Sequence, residues 1–518
     1  MVNSNPPSDL SRGTNGWRFP QRMSLSFDYI WIIAGLLFLG VIVSLSPVVP
    51  HDFWWHLKVG ELIAINHKIP STNIFAWSLP ADTPFVYASW LGELLFYRLY
   101  RWGGLEIIIF LRNITTVLAF GLMAFEARRQ SRSWKLAALA LFVATAMSAS
   151  NFHVRPQMVS VIFFPILYII INRYLDKSIH PVWLLVCPVL FLAWGNIHGG
   201  YVLGLILIAL FLVGEVIAKL LWPERARSWK VIGWLGLVAV LCSIAVAINH
   251  ETIGIYRYIF SLTSNQSVQG LTEEWKAPTP NAPDTIAFFL SVIILLVVFM
   301  YSRYVPSATE ALLLIVFLWL AWTGKRSIIW YAMILIPILA KVLAEIFKKS
   351  KWIVNTQRST FNTVIFALAL LVFFALQPWF IESLPLPSKY TDKILQENPV
   401  GPLLSTSTPI GAAEYLKNHS GGNMFNEMGY GSYLIWAVPE QKVFTDTRIE
   451  LFPYDLWLDY IKVSNGVMVD EIFARYGIDR VLLDKKLQGA LSSFLENKPD
   501  WRLEYEDLYS QIWKKANP

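Results

Sequence analysis

The sequence predicts a polytopic α-helical membrane protein with about eleven transmembrane helices and a small C-terminal extracytoplasmic α/β domain. Composition is the first reason. Of the 518 residues 55% are apolar, above the roughly 45–50% of soluble proteins, and the mean hydropathy is +0.47. Apolar runs that fit a bilayer recur as far as Phe380. Beyond Phe380 the chain alternates helix-like and strand-like segments, which is typical of an α/β domain.

The membrane domain is predicted to occupy residues 28–380. Residues 1–27 form a polar cytoplasmic segment, and no small-residue cleavage site follows it, so we expect the first helix to be retained. The predicted spans are 28–48, 105–125, 134–150, 157–172, 181–195, 200–220, 230–249, 285–301, 308–323, 327–346 and 361–380.

Positive charge orients these spans. Arg and Lys cluster before the first span and after the second, fourth, sixth and tenth. All these clusters fall on one side, the cytoplasmic side, only if Trp90–Trp102 lies in the outer interface as an amphipathic helix. Trp55–Asn66 is predicted to be a second interfacial helix. The net charge of +7 is explained by this orientation and does not indicate a nucleic-acid partner.

A first external loop is predicted at residues 49–104. It opens on His51-Asp52-Phe53-Trp54-Trp55-His56, directly after the first span. We interpret Asp52 as a catalytic general base, and His56 and Glu93 as further catalytic candidates, because ionisable groups near lipid are costly and usually functional. The alternative is structural, since tryptophan belts mark membrane interfaces and an external Asp is often solvated or caps a helix.

Other ionisable side chains fall on the same outer side of the predicted topology. The substrate-binding candidates among them are His51, His153, Arg155, His198, Glu274 and Arg326. Such groups tend to face a bundle interior or a water-filled cavity, so they predict one external cleft. The alternative is that external loops are simply polar throughout.

Arg112 is a separate substrate-binding candidate because it lies inside the second span. If that helix begins at Leu105, Arg112 is about 10 Å from its outer end. Two partners fit a guanidinium at this depth. One alternative is a structural ion pair between Arg112 and Glu106. The other is binding of a lipid phosphate by Arg112.

The composition changes again after the last span. A proline-rich linker is predicted at 381–408 and an α/β domain at 409–518. Predicted helices are Ala412–Lys417, Tyr454–Lys462, Val469–Tyr476 and Gln488–Asn497. Predicted strands are Asn423–Asn426, Ser432–Ala437, Lys442–Thr445, Arg480–Leu483, Arg502–Tyr505 and Ser510–Lys514. Asp446 and Arg448 either pair with each other or line the domain edge that faces the cleft and bind substrate.

The sequence predicts no cofactor. Cys187 and Cys242 both lie in apolar runs, so neither a disulfide framework nor a CxxC site is available. Walker, GxGxxG, HExxH and nucleophile-elbow motifs are absent from the sequence. A divalent ion held by His51, His56 or His198 is the alternative, but their spacing defines no ligand set.

Six segments carry a resemblance to a known family. They are DFWWHL from Asp52, PSTNIF from Pro70, WLGE from Trp90, WGNIHGG from Trp194, EW from Glu274 and FTDTR from Phe444. With these motifs the chain resembles bacterial membrane proteins that are grouped with the GT-C glycosyltransferase superfamily. The resemblance implies an inner-membrane enzyme with a polyprenyl-phosphate-linked sugar donor and an acidic residue near the catalytic centre, where this chain has Asp52. Ser89 and Thr447 depart from the family, which often has an acidic residue and a glycine there.

The leading hypothesis is a membrane glycosyltransferase that moves a sugar from the lipid-linked donor to an acceptor on the outer face. Arg155, Arg326 and Arg112 are candidates for holding the phosphate, and Asp52 accepts the proton of the acceptor. His51, His56 or His198 shares the base role or holds a divalent ion, and Glu93 or Glu274 orients the acceptor. A transporter or flippase of a lipid-linked saccharide, and a non-catalytic envelope assembly protein, are the alternatives.

Overall fold

The computed structural model describes residues 24–350, 357–381, 383 and 403–516. Most of the predicted N-terminal segment 1–27, and most of the predicted linker 381–408, lies outside the described residues. The cytoplasmic placement of the N-terminus therefore stays a prediction.

Helices dominate the chain before residue 382. They are α1 (Asp28–Ser44), α2 (Asp52–Asn66), α3 (Trp90–Ser131), α4 (Trp134–Ser148), α5 (Gln157–Leu175), α6 (Val186–Ile197), α7 (Tyr201–Leu221), α8 (Trp229–Val246), α9 (Gly254–Ser264), α10 (Gln266–Leu271), α11 (Ile286–Tyr301), α12 (Ala308–Thr323), α13 (Ile328–Ile346), α14 (Thr360–Ala375) and α15 (Pro378–Ile381). Two short strands, β1 (Leu25–Ser26) and β2 (Arg358–Ser359), pair antiparallel.

Every predicted span contains a helix in the structure. By length and composition, α3, α5, α7, α8 and the segment Lys325–Ile346 are long and apolar enough to cross a membrane. The chain is therefore a multi-pass membrane protein, whereas the total of about eleven spans stays a prediction.

Helix α13 forms the centre of the membrane domain. Its residues 328–340 are all buried, and it packs against α3, α4, α11 and α12. A helix that is apolar on all sides is expected inside a bundle, and this one brings the turn before it, Lys325–Ser327, against the turn Glu273–Trp275.

Helix α3 has two parts. Gly103 and Gly104 leave the helical conformation, and Gly104 has a φ of +67°, a backbone angle that glycine adopts without strain. This kink separates the segment 90–102, predicted as an amphipathic helix, from the apolar remainder of α3. The predicted helix is present, and its placement in the interface stays a prediction.

Helix α2 packs closely on the segment of α3 before the kink. It begins at Asp52, three residues before the predicted Trp55, and ends at His67, whose left-handed conformation stops the helix. Gly60 is the contact point, because a Cβ there would lie 2.0 Å from the carbonyl oxygen of Glu93. Only glycine lets the two backbones come this close.

The C-terminal part folds around a four-stranded sheet. Its strands are β3 (Met424–Asn426), β4 (Arg480–Asp484), β5 (Trp501–Glu506) and β6 (Ser510–Lys515), in the order β3-β4-β6-β5. Its helices are α16 (Ile410–Asn418), α17 (Met428–Ala437), α18 (Tyr454–Ser464), α19 (Val469–Tyr476) and α20 (Gly489–Glu496). β3 and β4 are parallel and the other pairs antiparallel. All four helices predicted here are confirmed.

Two of the strands predicted in this part are wrong. Ser432–Ala437 belongs to α17, whose N-terminus is capped by the Glu427 carboxylate, which accepts a hydrogen bond from the Tyr430 N–H at 2.8 Å. A cap and packing against α2 outweigh the strand propensity of these residues. Lys442–Thr445 is not in the sheet either, because Val443 pairs instead with Ala76 of the first loop.

The first loop and the C-terminal sheet domain share one apolar core. The Trp54 ring meets Tyr433 edge-on at 4.9 Å, and the Trp77 indole N–H donates to the Met424 carbonyl at 3.1 Å. Phe53, Trp54 and Trp55 are all buried, so these aromatic residues form a core between two segments and not a belt at the lipid surface. This docking brings residues 446–450 to the N-terminus of α2.

Candidate active site

Asp52 occupies the first turn of α2, where the helix dipole favours a carboxylate. One of its oxygens, Oδ2, lies 3.2 Å from Nε of Arg155, and the Thr447 side chain also hydrogen-bonds to the carboxylate. Burial acts to raise the pKa of Asp52, but Arg155, the neighbouring imidazoles and the Thr447 hydrogen bond together hold it below its ordinary value. Asp52 is therefore an ionised carboxylate at neutral pH.

Arg155 joins two carboxylates. Besides its contact with Asp52, its Nη1 donates to Oε2 of Glu274 at 2.7 Å. Glu274 lies in the 3₁₀ turn Glu273–Trp275, far from Arg155 in sequence. Burial acts to raise the pKa of Glu274, and the charges of Arg155 and Arg326 more than offset this, so its pKa is lowered.

Arg326 lies beside this cluster without a hydrogen-bonding partner. Its guanidinium carbon is 4.3 Å from the centre of the Trp275 ring, in a cation–π arrangement. No hydrogen bond or ion pair joins the guanidinium to another residue in the part of the chain that the structure describes. A stacked guanidinium keeps its N–H donors in a plane that matches a phosphate or carboxylate.

His56 and Glu93 form a second pair on the same face of α2. His56 follows Asp52 by four residues, about one helical turn, and its Nδ1 is 2.9 Å from Oε1 of Glu93. Glu93 is fully buried, and its other oxygen has no hydrogen-bond partner in the described part of the chain. The pair therefore presents a buried acceptor atom that water does not reach.

His198 is fixed in one tautomer by its neighbours. Its Nδ1 lies 3.0 Å from the backbone N–H of Gly200 and 2.8 Å from the Ser160 hydroxyl. Because the backbone N–H can only donate, Nδ1 accepts, and the proton of the neutral ring is on Nε2. The Ser160 hydroxyl in turn accepts a bond from the Trp194 indole at 2.7 Å.

Burial and the nearby charges of Arg326, His56 and Arg155 lower the pKa of His198 to about 3. In the unfolded chain the His198 imidazole binds a proton below about pH 6.5. In the folded protein it stays neutral at that pH. Above that pH, His198 does not lower the free energy of unfolding. Below that pH, we expect this group to lower the free energy of unfolding by up to about 1.4 kcal/mol per pH unit.

Unfolding temperatures of the purified protein between about pH 8 and about pH 5 measure this effect. His198→Gln should lose stability less steeply with acid than the wild type. Parallel curves for the two proteins would contradict the assignment. His180→Gln is the matched control, because His180 is an exposed histidine away from the cluster.

His51 and His153 border the cluster and are exposed. Both are close enough to Arg155 and Glu274 to interact with them electrostatically. Their predicted role in substrate binding stays a prediction. The structure thus brings nine of the predicted site residues into one region, as the sequence predicts. They are Asp52, His51, His56, Glu93, His153, Arg155, His198, Glu274 and Arg326.

Arg112 has a structural role at the end of α1. Its Nη atoms donate to the carbonyls of Val43 and Ser46, both at 2.7 Å, which satisfies acceptors at a helix C-terminus. The predicted pairing with Glu106 is wrong: no ion pair joins the two among the described residues. Carbonyls of α1 approach more closely because α1 packs against α3. Binding of a lipid phosphate by Arg112 stays a prediction.

Asp446 and Arg448 pair with each other, which is one of the two alternatives considered from sequence. The carboxylate accepts from Nε at 2.9 Å and from Nη2 at 2.7 Å, and neither side chain is exposed. Arg448 also donates to the Tyr87 hydroxyl at 3.1 Å, so the pair ties the C-terminal domain to the first loop. The substrate-binding role of these two residues stays a prediction.

Three residues at this site escaped the sequence analysis. Thr447 bonds Asp52, and the Tyr258 hydroxyl donates to Oε1 of Glu450 at 3.1 Å. Glu450 lies two residues after the FTDTR motif, which ends at Arg448, and this closeness in sequence was the available signal. No group of three or more His, Cys, Asp or Glu side chains among the described residues is arranged to hold a metal ion.

The fold of this chain resembles that of a solved protein. The archaeal oligosaccharyltransferase AglB from Archaeoglobus fulgidus, in complex with an inhibitory peptide and a dolichol-phosphate, has a TM-score of 0.54 and 13% identity, over 91% of this chain and 72% of its own. This chain has the fold of that oligosaccharyltransferase.

A second solved structure resembles this chain more weakly. ArnT from Cupriavidus metallidurans bound to undecaprenyl phosphate has a TM-score of 0.48 and 12% identity, over 95% of this chain and 99% of its own. No protein-family model and no curated protein matches the sequence. The comparisons therefore establish the fold, and the chemistry has to be argued from the site itself.

Proposed function

We propose that this protein is a membrane glycosyltransferase that moves a sugar from a polyprenyl-phosphate-linked donor to an acceptor on the outer face of the bacterial inner membrane. The observation that carries the proposal is Arg326, a guanidinium stacked on Trp275 whose N–H groups are unpaired among the described residues. It lies next to an ionised Asp52 held by Arg155. Phosphate recognition and a carboxylate base are the two parts that such a transfer requires.

Arg326 and Arg155 are the groups that would hold the phosphate. Arg326 has free donors in a plane, which permits two parallel hydrogen bonds to phosphate oxygens. Arg155 is already shared between two carboxylates and supplies positive charge at the same position. The solved AglB structure contains a dolichol-phosphate, which supports a lipid phosphate as the ligand of this fold.

In the proposed step, an acceptor hydroxyl oxygen attacks the anomeric carbon of the donor sugar. The new C–O bond forms as the bond between that carbon and the phosphate oxygen breaks, and the lipid phosphate leaves with the electron pair. Asp52 takes the hydroxyl proton. Its lowered pKa keeps it ionised, and the arginines stabilise the charge that develops on the leaving phosphate. No cofactor takes part in the proposal.

Arg326→Gln is expected to weaken binding of undecaprenyl phosphate to the purified protein by about 10- to 100-fold, the range for losing a hydrogen bond to a charged group. Arg326→Lys should retain part of the affinity, since it keeps the charge but not the planar donors. Titration with the lipid in detergent micelles measures both.

Arg502→Gln is the matched control, because it removes an exposed arginine of β5 and keeps the fold. It should bind the lipid like the wild type. Equal affinities for the wild type and Arg326→Gln, with both proteins monodisperse, would refute the phosphate role of Arg326.

A further inference from the structure

A cavity of about 470 Å³ opens beside the charged cluster. It lies between the first loop, α9 and the segment after Arg448. Its described lining includes Phe85, Glu251, Tyr258, Leu262, Asn265 and Glu450. The volume is within the roughly 300–1,000 Å³ of small-molecule sites, and the mixture of polar groups with apolar side chains is typical of them.

Glu450 connects this cavity to the candidate active site. The charge of Asp52 acts on Glu450, and the charge of Glu450 acts on Arg326. The Tyr258 hydroxyl holds one carboxylate oxygen at 3.1 Å. Burial is the main reason that the pKa of Glu450 is raised, with the charge of Asp52 adding to it. Glu450 therefore lines the cavity and lies within electrostatic range of Asp52 and Arg326.

The charge of the cavity is opposite to that of the phosphate-binding side. Two carboxylates line it, and its described lining includes no Lys, Arg or His. Glu251 contacts the imidazole of His250, whose Nε2 is 3.3 Å from Oε1 of Glu251. Glu450 has no such cation in direct contact among the described residues. A phosphorylated or carboxylated ligand would meet repulsion here, whereas hydroxyl groups would find acceptors.

We propose that this cavity binds the acceptor, and that the acceptor is a hydroxyl-rich saccharide without negative charge, oriented by Glu450 through a hydrogen bond to a sugar hydroxyl. The inference rests on the proposed function and adds the class of its second substrate. In this proposal Arg155 and Arg326 hold the phosphate of the donor, and Glu450 holds the acceptor. Tyr258 is a positioning residue, because it acts on the ligand through Glu450.

Methyl glycosides of neutral hexoses, each paired with the methyl glycoside of its uronic acid, are the probes. Their binding to the purified full-length protein is measured by ligand-observed NMR. We expect the neutral glycosides to bind at least about tenfold more tightly than their uronic-acid counterparts. Glu450→Gln and Tyr258→Phe should each weaken neutral binding, Glu450→Gln by about tenfold. Glu450→Gln should also reduce the discrimination against uronic acids.

Glu414→Gln removes an exposed carboxylate of α16 and is the matched control, with binding equal to the wild type. The inference is overturned if no neutral glycoside binds, if the uronic acids bind equally well, or if both cavity variants bind like the wild type. Undecaprenyl phosphate is titrated in parallel. Lipid binding that does not depend on Arg326 counts against the proposed function alone, and glycoside binding that does not depend on Glu450 counts against the acceptor site alone.

Discussion

Asp52→Asn is expected to lower sugar transfer by about 10²- to 10⁴-fold, the usual contribution of a general base, while the protein folds and inserts normally. The amide keeps the shape of the side chain but cannot take the acceptor proton. Arg155 keeps Glu274 as a partner at 2.7 Å, so the substitution leaves no unpaired buried charge. The loss should therefore appear in the rate of transfer and not in the amount of protein.

Membranes that contain the wild type or Asp52→Asn at matched protein levels, with a labelled pool of polyprenyl-phosphate-linked sugars, measure this loss as donor consumption. Asp82→Asn is the matched control, since Asp82 is an exposed carboxylate in the same loop. Full donor consumption by a normally inserted Asp52→Asn would refute its role as base. Donor-lipid flux through reconstituted vesicles that persists in this variant would support the transporter alternative.

Local signals in the sequence were sufficient for the membrane helices and for the polar cluster. Apolar runs mark helices that bury their backbone groups within one segment, so the helices within the eleven predicted spans need no knowledge of the rest of the chain. Positive charges place the polar turns on one side. His56 follows Asp52 by one helical turn, which predicts that both lie on one face of α2.

Contacts between distant segments decide what the sequence analysis missed. Thr447 reaches Asp52 only because the C-terminal domain docks on the first loop, where Val443 pairs with Ala76. The strand propensity of Ser432–Ala437 is overridden by packing against α2. Arg112 donates to carbonyls at the end of α1 because the two helices pack together. The sequence does not reveal this contact, because Arg112 is far from α1 along the chain.

Asp446→Asn is expected to lower the free energy of unfolding by about 3–5 kcal/mol, the usual cost of breaking a buried ion pair by removing one partner. Asp446 accepts two hydrogen bonds from the Arg448 side chain and one from its backbone N–H, and both side chains are unexposed. Asp446 and the Tyr87 hydroxyl hold Arg448 in its charged state, with its pKa raised although burial acts to lower it. With Asn at position 446, that charge remains buried with only neutral partners.

Denaturant unfolding of the detergent-solubilised protein, followed by a probe in the C-terminal domain, measures this cost. Glu471→Gln breaks the exposed Glu471–Arg475 pair and is the control, with an expected change within about 0.5 kcal/mol. A double variant, Asp446→Leu with Arg448→Met, should be more stable than Asp446→Asn, because no charge is then left unpaired. An Asp446→Asn protein as stable as the wild type would show that the pair contributes nothing.

Because Thr447 lies between these residues and bonds Asp52, the same substitution should also reduce sugar transfer.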